Sequence, residues 1–92
     1  MKIKRNPSIL ETAQALVTGD RAAAYGPPEE NFARWRDMIR ATGRPGLENI
    51  TAEDLCIVMI LLKVARESGS PVRDTPVDIA GYAYCLDRVR GL

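Results

Sequence analysis

LCIVMILLKVAR, residues 55–66, is the stretch that decides the fold. From Leu55 to Leu62 nothing polar interrupts it except the thiol of Cys56. Immediately before it stands Thr51-Ala-Glu53-Asp54, a capping box in which Thr51 accepts from the Asp54 amide and Asp54 reaches back. Ser68-Gly69-Ser70-Pro71 follows and ends the segment. The run is far short of the ~20 residues that a membrane span requires, so it reads as a helix over about 51–67 inside a fold. A helix that is apolar on every face is expected to be covered on all sides. Lys63 and Arg66 fall three apart inside this context and need partners within the fold. Asp74 and Asp78, at the start of the next predicted helix, are placed to meet them across a helical hairpin.

Working outward, each neighbouring segment also reads as helix. Ser8 and Glu11 form a second capping box, followed by an apolar stripe of Ile9, Ala13, Leu16 and Val17, and Gly19 stops that helix. Tyr25-Gly26-Pro27 is excluded from regular helix because a residue before proline is pushed out of the helical region. Pro28 suits a first helical position. Phe32, Trp35 and Ile39 then repeat at helical spacing with Met38 beside them, while Arg34, Asp37 and Arg40 take the opposite face. Glu29 and Glu30 complement the dipole at that helix's start. Residues 42–46 form a loop. Thr75-Pro76 reads as cap and first position of a last helix carrying Val77, Ala80, Gly81, Tyr84 and Cys85. Gly81 costs about 1 kcal/mol against alanine there, so close approach of another helix or a ligand is expected. The sum is an all-α domain, a small bundle of four helices over residues 1–92. The helix at 51–67 is at its centre, forming a hairpin with 75–90, and residues 1–7 are a frayed segment.

Composition excludes several function classes. Thirteen basic residues stand against twelve acidic ones, so no bulk field favours nucleic acid or an anionic membrane. The local clusters Lys2, Lys4, Arg5 and Arg34, Arg36, Arg40, Arg44 read as a frayed end and a solvated helix face. There is no histidine, and the two cysteines, Cys56 and Cys85, are too far apart for a CxxC motif. Zinc sites and Ser-His or Cys-His nucleophilic catalysis are thereby set aside, and no cofactor is implied. Both thiols read as buried and reduced. The basic start runs into Asn6-Pro7 rather than an apolar core, so no signal peptide is read and a soluble, cytoplasmic protein is expected. A chain of 92 residues buries only about two thirds of its unfolded surface, which makes self-association into a homo-oligomer an expectation.

The candidate site gathers Arg21, Tyr25, Asn31, Trp35, Lys63, Arg66, Arg73, Asp74, Asp78 and Tyr82. Asp74, Asp78 and Tyr82 step by four and share a helical face. Three readings of this set compete. In one, Arg66 with Asp78 and Lys63 with a carboxylate are ion pairs that brace the hairpin of an interaction module without a small ligand. In the second, the cations hold a phosphate, with Tyr25 or Trp35 stacked on a base. In the third, Asp74, Asp78 and Glu53 or Asp54 ligate Mg²⁺ for phosphate hydrolysis. All-α nucleoside triphosphate pyrophosphohydrolases of the MazG type are similar in hairpin layout, and hold Mg²⁺ with an ExxE pair on one helix and ExxD on the next. This chain has Lys63-x-x-Arg66 where the first pair belongs, and Asp74-x-x-x-Asp78 in place of the second. Two cations there repel Mg²⁺ and attract phosphate, so binding without turnover is preferred and no catalytic or metal-ligating residue is assigned.

A wider set of motifs runs through residues 18–88. It comprises Gly19-Asp20-Arg21-x-x-x-Tyr25-Gly26-x-Pro28-x-x-Asn31-Phe32, Ile50-Thr51-x-Glu53-Asp54, Lys63-x-x-Arg66 and Arg73-Asp74-x-x-x-Asp78-Ile79-Ala80-Gly81-Tyr82. This set resembles a family of small phage and prophage helical proteins of unknown function. The resemblance implies a phage origin and, for localisation, the cytoplasm of an infected or lysogenic bacterial host. It carries no activity with it. By analogy with unrelated small oligomeric phage proteins that sequester nucleotide immune signals, it suggests an anti-defence role in holding such a signal.

Overall fold

A computed structural model describes residues 6–91, the side chain of Asp20 excepted. The described residues are all-α, with the four expected helices and one short addition. α1 (Ile9–Thr18) opens on the Ser8 capping box, with Ser8 Oγ accepting from the Glu11 amide at 3.1 Å and Glu11 accepting from the Ser8 amide at 2.9 Å. After a single break at Gly19 the chain re-enters helix as α2 (Asp20–Tyr25), a segment without a hydrophobic period to announce it. Tyr25 is still helical, and the chain leaves helix only at Gly26, the residue directly before proline. α3 (Pro28–Ala41) begins with proline at its first position. α4 (Ala52–Glu67) carries the Thr51–Asp54 capping box, both bonds formed at 2.9 and 3.1 Å. α5 (Asp74–Arg90) completes the hairpin with α4.

Three expectations are corrected here. The helical hairpin forms as read, but α4 is not covered on all sides. It gives Leu55 and Cys56 to the core while Ile57, Val58, Leu61, Leu62 and Val64 are exposed. The helix most surrounded is α5, which packs against α4, α1 and α3. Periodicity cannot tell a helix buried on every face from one whose second apolar face is left open. The start of α5 also differs. Thr75 is not its cap but a buried residue of its first turn, and Arg73, already helical at φ −62° and ψ −29°, occupies the cap position without a side-chain bond. Pro76 still costs nothing, because the first four amides of a helix have no partner within it. Finally, Met38 lies exposed beside the stripe it was assigned to. The frayed segment read at residues 1–7 falls mostly outside the described residues. At its end Pro7 is tied, its carbonyl accepting from Arg73 Nη2 at 2.7 Å.

The core is small. Phe32, Leu55 and Cys56 form its centre, with Trp35, Ile39, Ile50, Met59, Tyr82, Cys85 and Leu86 packed around them. Phe32 meets Trp35 edge-on at 4.9 Å between ring centroids and Tyr82 at 6.5 Å. Ala13 and Val77 are buried in a second patch where α1 crosses α5. Gly81 lies at that crossing, but a Cβ placed there would stand 3.5 Å from Val17 Cγ1, an ordinary van der Waals contact, so the expected close approach does not by itself require glycine. At the far end of the molecule Arg88 closes α5 onto α3 through both carboxylate oxygens of Glu29, at 2.7 and 3.3 Å. The Arg88 bond holds the Glu29 carboxyl below its ordinary range.

Candidate functional site

The ten candidate residues do not converge on one place. They divide between two clefts on the flanks of α5, with Arg73 spent on the Pro7 carbonyl and lining neither.

The first cleft is aromatic. Arg21 and Tyr25 from α2, Asn31 and Trp35 from α3, and Tyr82 from α5 line a cavity of about 180 Å³ together with Phe32 and Cys85. The turn from α2 to α3 places Tyr25 at its edge, and that turn depends on Gly26. With φ 78° and ψ −174°, Gly26 lies in a region that is essentially glycine-only. Gly26→Ala is expected to cost about 1–3 kcal/mol and to displace Tyr25, visible as a lowered melting temperature and a changed tyrosine fluorescence. Arg34 fixes the same turn from the other side. Its Nη2 donates at 3.1 Å both to the Tyr25 carbonyl and to Asn31 Oδ1, while Asn31 is buried at 8% exposure. Sequence reasoning assigned Arg34 to a solvated face, and its position three residues after Asn31 was the one available signal of this role. Arg21 has no carboxylate partner among the described residues.

The second cleft is polar. Lys63, Arg66, Ser70, Asp74, Thr75 and Asp78 line about 340 Å³ at the turn end of the α4–α5 hairpin. Here the expected pairing is corrected. Lys63, not Arg66, holds Asp78, at 3.1 Å with both side chains about four-fifths buried. Arg66 is exposed and has no ion pair among the described residues. Three residues turn a helix by about 300°, so Arg66 points about 60° away from the line on which Lys63 meets α5. Only one of the two cations is thus held within the fold. A narrow crevice of about 30 Å³ shares Arg21 and Tyr82 with the aromatic cleft and Asp78 with the polar one. Among the described residues, no group of three or more His, Cys, Asp or Glu side chains could hold a metal ion.

Cys56 is fully buried, and burial pushes its thiol up to about 12. Cys85, half-buried at the aromatic cleft, is raised by the same cause. Neither thiol is in a disulfide. A thiol raised in the folded state contributes stability that is present below pH 9 and lost as pH rises through the folded value. Melting temperatures are therefore expected to fall between about pH 9 and 12, and Cys56→Ala is expected to flatten that fall. At neutral pH Cys56 is expected to resist thiol reagents until the chain is denatured.

By fold the chain is a small all-α domain, five helices among the described residues, with two clefts on the flanks of its last helix. Residues 8–90 match the family described as "Domain of unknown function (DUF6378)", and the chain belongs to that family. It is 46% identical over 85 residues to the Gene 55 protein of Mycobacterium phage L5, covering 90% of this chain and 53% of that protein. It is 41% identical over 83 residues to the Gene 55 protein of Mycobacterium phage D29, covering 89% of this chain and 53% of that protein. The chain thus spans about half the length of the curated relatives it matches. No solved structure matches it. The resemblance to phage proteins of unknown function is therefore upheld. No helix among the described residues is long and apolar enough to cross a membrane.

Proposed function

We propose that this phage-family domain holds a small phosphate-bearing nucleotide or nucleotide-derived immune signal without turning it over. The observation that carries this reading is Arg21, a guanidinium with no carboxylate partner among the described residues, on the wall of a cleft built from Tyr25, Phe32, Trp35 and Tyr82. Aromatic faces take a base by stacking and a guanidinium takes phosphate oxygens two at a time. At about 180 Å³ the cleft is smaller than the 300 Å³ or so at which sites for whole drug-sized ligands begin. It suits one ring, with the phosphates lying outside it against Arg21. The cytoplasm of an infected host is where such a ligand would be met.

Calorimetry and thermal shift against nucleoside phosphates, cyclic dinucleotides and cyclic ADP-ribose derivatives test the reading. At least one is expected to bind and to raise the melting temperature, and Arg21→Ala and Trp35→Ala are expected to abolish the effect. No binding tighter than about 100 µM, or equal binding by Arg21→Ala, refutes it. Phosphate release that EDTA abolishes would instead favour the Mg²⁺-dependent hydrolase. One observation favours a third reading, an interaction module with no small ligand: Lys63 and Asp78 already satisfy each other, as a braced hairpin requires.

A further inference from the structure

The side of α4 turned away from the core carries Ile57, Val58, Leu61, Leu62 and Val64, which are 40%, 50%, 60%, 46% and 52% exposed. At about 100° per residue these five fall on one side of the helix together with Asp54 and Ala65, opposite Cys56 and Lys63. They leave roughly 450 Å² of apolar side-chain surface open, the scale at which a contiguous patch marks an interaction site. No charged side chain interrupts the patch, because Lys63 is turned inward to Asp78. The first turn of α4 carries Asp54 and Glu53, the latter paired with Arg90 at 3.5 Å, and its last turn carries Arg66 and Glu67.

We propose that this face docks against the same face of a second copy, the two α4 helices lying antiparallel across a two-fold axis near Leu61. Apolar area and symmetry select the occupant, and the helix termini its direction. An antiparallel pair opposes the helix dipoles and keeps the two Asp54 carboxylates apart, whereas a parallel pair sets Asp54 against Asp54. A two-fold contact also needs only one patch, used twice. Two such patches contribute roughly 900 Å² of apolar surface, and a polar rim brings the total towards the 1,200 Å² or so at which stable interfaces begin. The contact leaves both clefts open on the α5 side, so it stands or falls independently of ligand binding.

Sedimentation equilibrium and light scattering on the full chain test this. The chain is expected to form a dimer that dissociates in the micromolar range. Leu61→Glu is expected to weaken it by at least about 30-fold with an unchanged helical circular dichroism spectrum, because the side chain is mostly exposed. Leu10→Glu, on α1 and more exposed than Leu61, is expected to leave the dimer intact. Leu61→Cys is expected to oxidise to a covalent dimer through its own symmetry mate. A chain that stays monomeric up to about 0.5 mM, a dimer that Leu61→Glu does not weaken, or a Leu61→Cys variant that does not cross-link overturns the proposal. Coverage of the face by a different protein, with no self-association, overturns it equally.

Discussion

Phe32→Ala is expected to remove about 3–5 kcal/mol of stability, a large part of the 5–15 kcal/mol that such domains possess. Phe32 is 2% exposed and sits where three helices meet, against Leu55 and Cys56 of α4 and the rings of Trp35 and Tyr82. With few other buried apolar side chains among the described residues, no neighbouring cluster compensates for the void. Tyr82 and Trp35 would lose a contact face each, so the aromatic cleft is expected to lose its shape along with the core. Urea denaturation followed by tryptophan fluorescence measures the effect directly, since Trp35 is the only tryptophan and touches the altered residue. Phe32→Leu, which leaves a smaller void, is expected to cost distinctly less. A loss below about 1 kcal/mol for Phe32→Ala would mean that the core lies elsewhere.

Lys63→Met alone is expected to cost about 2 kcal/mol. This is less than the ~3–5 kcal/mol of a fully buried pair, because both partners keep about a fifth of their side-chain surface in water. The loss arises from leaving the mostly buried Asp78 carboxylate without its ammonium. Asp78→Leu alone is expected to cost a similar amount for the converse reason. The double variant is expected to recover most of the loss, because no unpaired charge remains in it. A double-mutant cycle on denaturation free energies reads the coupling. Arg66→Met serves as the control and is expected to change stability by less than about 0.5 kcal/mol, since its guanidinium is exposed and unpaired among the described residues. Equal effects from Lys63 and Arg66 would return both cations to one network.

The features of this fold that were legible in the sequence are those encoded within a few residues of one another. Ser8 with Glu11, and Thr51 with Asp54, announce two helix starts because both partners of each capping box lie within one turn. Pro28 announces a third for the same reason. Thr75-Pro76 looks equally local and misleads, because Arg73 already has helical backbone angles and the Thr75 amide closes a turn on the Val72 carbonyl, which draws the start of α5 upstream. What the sequence could not supply is distance between helices. Lys63 and Arg66 are indistinguishable as letters, and only the angle at which α5 crosses α4 selects Lys63 to meet Asp78. Likewise Asn31 was read as a candidate from its neighbours, whereas its anchoring by Arg34 depends on where α2 ends. Arg21, Tyr25, Asn31, Trp35 and Tyr82 line one cleft and Lys63, Arg66, Asp74 and Asp78 the other, and that division on the flanks of α5 is a tertiary fact.

Asp78 and Tyr82 both project from α5, four residues apart, one in the polar cleft and the other in the aromatic one. A rise of about 1.5 Å per residue sets them about 6 Å apart along a rigid rod. That helix therefore works as a ruler, and the separation between ring and charge in any molecule spanning both clefts is gauged by hydrogen-bonded backbone rather than by a loop.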